Sequence, residues 1–209
     1  MTPYPYGPPP MGYAPAPGAW PGAALGSKAD ASGHKPGLRL WFLLCAIAGY
    51  AAVFVGTGAF MVGFASGDPD VIAAFAVIGY VIALAAVPFH IGSLVIGMIW
   101  LHGAWRWLPP DQRFTRDGKP MGADQVFYLL IPYFHYYWMF PINLELCHAM
   151  NRLRDQRFPT AVRRCSPDTA MWAAVCQLVP IAIFVAPFLW ASHMRQVDAM
   201  HEELGALGA

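Results

Sequence analysis

The chain has 209 residues, of which 57% are hydrophobic and only 12% charged, with a formal net charge of +1. A water-soluble domain carries about 25% charged residues, so a solvated globule is excluded, and the arginines sit in short loops beside the apolar runs rather than on one surface, so no nucleic-acid partner is expected. The four cysteines, Cys45, Cys147, Cys165 and Cys176, contain no Cys-x-x-Cys pair, which argues against a disulfide framework and against a zinc knuckle.

Residues 1–37 form a Pro/Gly-rich stretch in which Tyr4, Tyr6, Tyr13 and Trp20 are interleaved with prolines. Proline fixes φ and removes donors, glycine raises the entropy lost on ordering, and no β-branched aliphatic side chain supplies a core. A disordered tail of partly polyproline II character is predicted. It serves either as a solvated spacer or as a docking segment for a cytoplasmic partner. No basic start and cleavage site precedes the first apolar run, so that run reads as an uncleaved signal anchor.

Beyond the tail, no charge falls between Arg39 and Asp68, between Asp70 and Arg106, between Asp124 and Glu145, or between Asp168 and Arg195. Each gap approaches or exceeds the roughly 20 helical residues that cross a bilayer. The expected fold is therefore an all-α integral membrane protein, a bundle of four hydrophobic helical segments at about 40–65, 71–107, 126–144 and 169–191.

Segment one repeats small residues, including Gly49, Ala52, Gly56, Ala59 and Gly63, at alternating steps of four and three. Segment two carries Gly79, Ala83 and Ala86 in the same rhythm and continues to His90. In lipid such stripes let helix backbones approach closely, so these residues are assigned to a helix-packing face. Ser66 to Asp70 supplies the turn between the two segments. Segment two is too long for one perpendicular span and should kink near Pro88. Its final tryptophans, Trp100, Trp105 and Trp107, are expected at the membrane interface.

The loop 109–123 is basic, as is the end of the tail, while the turn at Asp68 and Asp70 holds no cation. The positive-inside rule then puts the N-terminus and that loop in the cytoplasm. Segment three, broken by Pro132 and Pro141, conflicts with the rule, because Arg152, Arg154, Arg157, Arg163 and Arg164 follow it. It either crosses fully or is re-entrant, and the choice sets the side of the C-terminus. After segment four, Met194, Val197, Met200 and Leu204 lie opposite Arg195, Asp198 and Glu202. That pattern predicts an amphipathic helix over 192–204, lying along the membrane or against the other segments.

Ionisable residues within apolar runs are expensive and mark candidate functional positions. His90 and His135 are two such residues, able to line a pathway, to bind haem at matched depth, or to satisfy a neighbouring carbonyl. Glu145 and His148 form one Glu-x-x-His pair, half of a di-iron arrangement, or else a contact of Glu145 with Arg152 or Arg154. The ring cluster Tyr128, Tyr133, Tyr136, Tyr137 and Trp138 reads as an interfacial anchor. No phosphate loop, Gly-x-Ser-x-Gly or His-Glu-x-x-His motif is present, so no catalytic residue, cofactor or metal is assigned.

The stretch Leu129-Leu130-Ile131-Pro132-Tyr133-Phe134-His135-Tyr136-Tyr137-Trp138 resembles a motif of small uncharacterised bacterial multi-span membrane proteins. There an aromatic-Ile-Pro-aromatic-aromatic-Asn-aromatic-Tyr-Trp core leads into a helix ending near an asparagine, as Asn151 does here. The likeness covers about residues 95–155, with His135 at the position of the asparagine. It implies a bacterial cytoplasmic membrane and carries over no site. The expected function is a non-enzymatic scaffold or regulatory membrane protein, with a small channel or transporter and a haem or redox protein as alternatives. Its expected partners are the lipid bilayer and other membrane proteins or copies of itself, met through the small-residue faces.

Overall fold

A computed structural model describes residues 37–179 and 182–208; the predicted tail lies outside them. The described residues form helices joined by turns and loops, with a single isolated β-bridge between Phe114 and Pro120 and no strand among them. Five α-helices follow in order: α1 (Gly37–Ala65), α2 (Pro69–Trp107), α3 (Phe134–Arg157), α4 (Pro167–Leu178) and α5 (Ala186–Gly208). Short 3-10 turns occupy Pro110–Gln112 and Ala123–Leu130.

Helices α1 and α2 form an antiparallel hairpin. Ser66 donates its hydroxyl to the Gly63 carbonyl at 2.6 Å, and Gly67 takes φ of 69°, where a side chain would be strained. The Asp68 carboxylate then caps α2 by accepting from the Asp70 amide at 2.9 Å, with Pro69 in the first turn. Along the seam the backbones touch. A Cβ added to Gly56 would lie 2.8 Å from the Gly79 carbonyl oxygen, and one added to Gly79 would lie 2.7 Å from that of Gly56. Gly63 is filled in the same sense by Phe75, Ala86 is buried, and Ala52 and Ala59 are half-covered, while Ala83 sits near the seam with its side chain exposed.

The outward faces of this hairpin are apolar and uncovered: Phe54, Val62, Phe64, Val77, Val81 and Ile91 all stand exposed. At 1.5 Å per residue, the 29 residues of α1 span about 43 Å and the 39 of α2 about 58 Å. These two are the helices long and apolar enough to cross a membrane among the described residues, rather than the four expected. Helix α2 runs unbroken through Pro88.

Segments three and four are each interrupted. In place of one helix over 126–144 there is the 3-10 turn, a break at Ile131–Tyr133, and then α3. Ile131 stays extended at ψ 117°, as a residue before proline prefers, and Tyr133 takes φ of 63° before α3 starts. In place of one helix over 169–191, α4 stops at Leu178, with Val179 extended ahead of Pro180 in the sequence. Helix α5 restarts at Ala186 with Pro187 in its first turn and continues through the predicted 192–204 helix without interruption. The 12 residues of α4 reach about 18 Å, well short of the roughly 30 Å hydrocarbon layer.

Helices α4 and α5 fold back on one another. Trp190 donates its indole N–H to Gln177 Oε1 at 3.0 Å, and Gln196 joins Thr169 at 3.3 Å nearer the open end. At the closed end Phe184 packs edge-on against Tyr50 and Phe54, near the middle of α1.

The last two turns of α2 enter a second region built from α3, α4 and α5. Trp100, Trp105 and Trp107 are buried there in protein rather than placed at an interface. Each indole is engaged: Trp105 donates to the Ile142 carbonyl at 3.1 Å, Trp100 donates to Asp198 Oδ1 at 2.8 Å, and Trp107 lies 3.9 Å from the His201 ring. Met194, Val197, Met200 and Leu204, the apolar stripe of α5, complete this core together with Ile142, Leu146, Met150 and Leu153.

Candidate functional site

Where the hairpin meets the second region, a recess of about 260 Å³ opens between α1, α2, α3 and α5. Its walls are mainly apolar, and His90, Ser93, His135, Asn143 and Gln177 are among the residues that line it. An apolar recess with a few convergent polar groups is the ordinary form of a small-ligand site. His90 is set by the hairpin: its ring fills the space beside Gly49, where a Cβ would come within 2.9 Å, and packs edge-on to Tyr50 at 5.1 Å. His135 occupies the first turn of α3, just past the break at Pro132, with its ring 3.7 Å from that of Tyr136. The two histidines singled out from sequence therefore share one cavity although they lie 45 positions apart in the chain.

Asn143 is buried and donates its amide N–H to the Met139 carbonyl at 2.8 Å, while its Oδ1 meets no hydrogen-bond donor among the described residues. A buried acceptor without a donor is destabilising by about 1–3 kcal/mol, so this oxygen suits a ligand that brings a donor.

Glu145 and His148 lie elsewhere, on the part of α3 that meets the loop 109–123. The Glu145 carboxylate accepts the Arg116 backbone N–H at 2.9 Å and the Arg116 guanidinium at 3.4 Å. Its partner is thus Arg116 rather than Arg152 or Arg154. Arg152 instead donates to the Gln112 and Phe114 carbonyls, and Arg154 to that of Ala161 and to Asp155. Burial pushes the His148 imidazole below its usual range, the nearby Arg116 adding to the effect and Glu145 opposing it. No second Glu-x-x-His pair joins this one among the described residues.

The ring cluster divides. Tyr128, Tyr133, Tyr136 and Tyr137 stand exposed, and Trp138 is half-buried with its indole N–H donated to the Gln125 carbonyl at 2.8 Å.

Three residues passed over in the sequence converge in the core. Cys147 of α3 and Cys165, just ahead of α4, are joined through their sulfurs, their Cα atoms 5.2 Å apart, contrary to the expectation of no disulfide. The sequence separation of 18 residues hides this proximity, which arises because the turn after α3 brings the chain back along that helix. His193 of α5 places its Nδ1 3.8 Å from Cys147 Sγ. It is wholly buried, which pushes its imidazole down to about 4 against the opposing pull of Asp198, so the ring is neutral at pH 7. The signal for His193 was present: residues 193, 197, 200 and 204 follow a helical stripe that includes it.

Set against protein-family models, curated proteins and solved structures, the chain gives no significant match to any of them.

Proposed function

We propose that this chain is a non-enzymatic scaffold or regulatory protein of a bacterial cytoplasmic membrane. In this reading it is anchored by the α1–α2 hairpin and carries its charged surface and its tail on the cytoplasmic side. The observation that supports it is the contact between the arginine-rich end of α3, where the second basic loop begins, and the basic loop 109–123. Arg157 meets Asp111 at 2.7 Å, and Arg152 reaches the Phe114 carbonyl at 2.9 Å. Loops that touch lie on one side of a membrane, so segment 126–144 is re-entrant in this reading and the charge bias is obeyed by every basic loop. The α4–α5 hairpin then dips about half-way, its Phe184 tip packed on α1 roughly 23 Å along the helix from Arg39. Four apolar segments thus give two spans and two partial insertions, with the C-terminus cytoplasmic.

Labelling with a membrane-impermeant maleimide tests this in a background with Cys45 and Cys176 replaced by serine. Val162→Cys and Asp117→Cys should react from the same side, and Asp70→Cys from the other. Reaction of Val162→Cys and Asp117→Cys from opposite sides would restore a crossing third segment and overturn the proposal.

The recess carries a second reading, a small channel or transporter with His90 and His135 in its pathway. Solute flux into proteoliposomes that falls in both His90→Ala and His135→Ala would favour it. Flux equal to that of empty vesicles leaves the scaffold reading in place.

A further inference from the structure

Cys147, Cys165 and His193 are contributed by three different elements, and their ligand atoms all lie within 4.8 Å of one another. All three side chains are buried, at 0%, 2% and 0% exposure. Neighbouring side chains fix the segments that carry them. Asn151 clamps Cys165 through both ends of its amide: it accepts the Cys165 N–H at 3.0 Å and donates to the Cys165 carbonyl at 2.8 Å. Gln196, one turn from His193, accepts the Ser166 N–H at 2.9 Å. The His193 ring is wedged between the Trp100 and Trp190 rings, with centroids at 5.6 and 5.8 Å. Its Nε2 has no hydrogen-bond partner among the described residues, and its Nδ1 faces the Cys147 sulfur. A disulfide needs no imidazole beside it, and a leucine would pack the same space without burying unpaired nitrogen.

We propose that in the reduced chain these three side chains bind one Cu(I) ion, with two thiolate sulfurs and one imidazole nitrogen. Thiolate and imidazole are ligands for soft cations. Zn(II) prefers four ligands, whereas the described residues offer three, all of them buried, which suits three-coordinate Cu(I). Two thiolates and one monovalent ion carry a net charge of −1. Cys165 stands immediately before Ser166, the N-cap of the 12-residue α4, so the helix N-terminus offsets that charge and favours the thiolate.

The disulfide is the competing oxidised state. A small-molecule dithiol reduces it by taking the disulfide bond in exchange, becoming a cyclic disulfide and leaving two Cys thiols. Copper binding then releases the two thiol protons to solvent. The cytoplasmic orientation proposed above would keep the thiols reduced in the cell, but the site itself stands on the geometry alone.

The test uses the purified full-length protein in detergent, reduced with dithiothreitol and desalted without oxygen. Alkylation should count four thiols. Titration with Cu(I) against a chromophoric chelator should then show one copper retained per chain, with an ultraviolet thiolate-to-copper band. Absorption spectroscopy at the copper edge should show two sulfur ligands and one nitrogen. Cys147→Ser should abolish retention, His193→Gln should weaken it by about tenfold or more, and the Cys45→Ser, Cys176→Ser double variant should bind as the parent does. Unchanged helical circular dichroism in each variant separates lost ligation from lost folding, and the spectroscopic ligand count on the parent protein decides the matter if a variant fails to fold. An alkylation count fixed at two, no copper retained by the fully reduced chain, or equal retention by Cys147→Ser would each overturn the proposal, as would a four-coordinate Zn(II) complex preferred over copper.

Discussion

The α1–α2 hairpin and the α3–α5 region solve the problem of holding helices together by opposite means. The hairpin buries almost nothing large: its contact is glycine on glycine, and its large side chains face outward. The α3–α5 region buries tryptophan, methionine and leucine and leaves arginine and aspartate on its surface. Where lipid is the solvent, an exposed valine gains nothing by moving inward, so close backbone approach decides the pairing. In water the same valine would be driven inside. The chain changes strategy within one helix, since α2 leaves most of its large apolar side chains exposed up to Val95 and buries Met98, Trp100, Leu101, Trp105 and Trp107 in the core beyond it.

This contrast can be broken from either end. The largest effect is expected from Trp105→Ala, which empties a fully buried site and leaves the Ile142 carbonyl without its donor. A loss of about 3–5 kcal/mol is expected, read from denaturant unfolding in mixed micelles, while the hairpin stays inserted. Gly56→Leu attacks the other region. It should open the hairpin, with a loss of about 1–3 kcal/mol, whereas Gly58→Leu, which meets open space, should be neutral. Equal losses from both glycine variants would mean that the seam is not what holds α1 to α2.

Glu145→Ala removes the acceptor of the Arg116 backbone N–H and should loosen the loop 109–123 by about 1–2 kcal/mol; hydrogen exchange confined to that loop checks it. The smallest effect concerns Glu203, whose carboxylate accepts the Val162 and Arg163 backbone N–H groups at 2.8 and 2.9 Å. Those two bonds hold its pKa below the usual carboxylate value. A group with a depressed folded pKa stabilises above its unfolded value, and that contribution is lost as the pH falls through the folded one. Acid should therefore free the 158–166 loop before the rest. Glu203→Gln should remove that acid-dependent step, as followed by proteolysis of the loop against pH, and an unchanged profile would discard the assignment.

Much of this contrast was legible in the sequence, and the parts that were not have physical causes. The hairpin could be read because small residues at steps of four and three constrain backbone distance directly. The apolar stripe of α5 could be read because Met194, Val197, Met200 and Leu204 follow one helical face. Uncharged length alone misled at segments three and four, where the chain breaks at Pro132 and α4 stops at Leu178 in runs that composition treats as continuous. The tryptophans at the end of α2 were expected at an interface because their amphipathic rings suit one, yet Asp198 and the Ile142 carbonyl offered their N–H groups partners inside the protein. The meeting of His90 with His135, and of Cys147 with Cys165 and His193, depends on how distant helices cross, and no local pattern encodes that.

Helix α2 exceeds its partner by ten residues, 39 against 29, and the surplus is the central post of the α3–α5 region. One continuous helix is thus shared by the hairpin and the α3–α5 region, with no break in it between Pro69 and Trp107. Tilting is how a helix accommodates a thinner bilayer, and any tilt of the hairpin must swing the charged surface through the same angle.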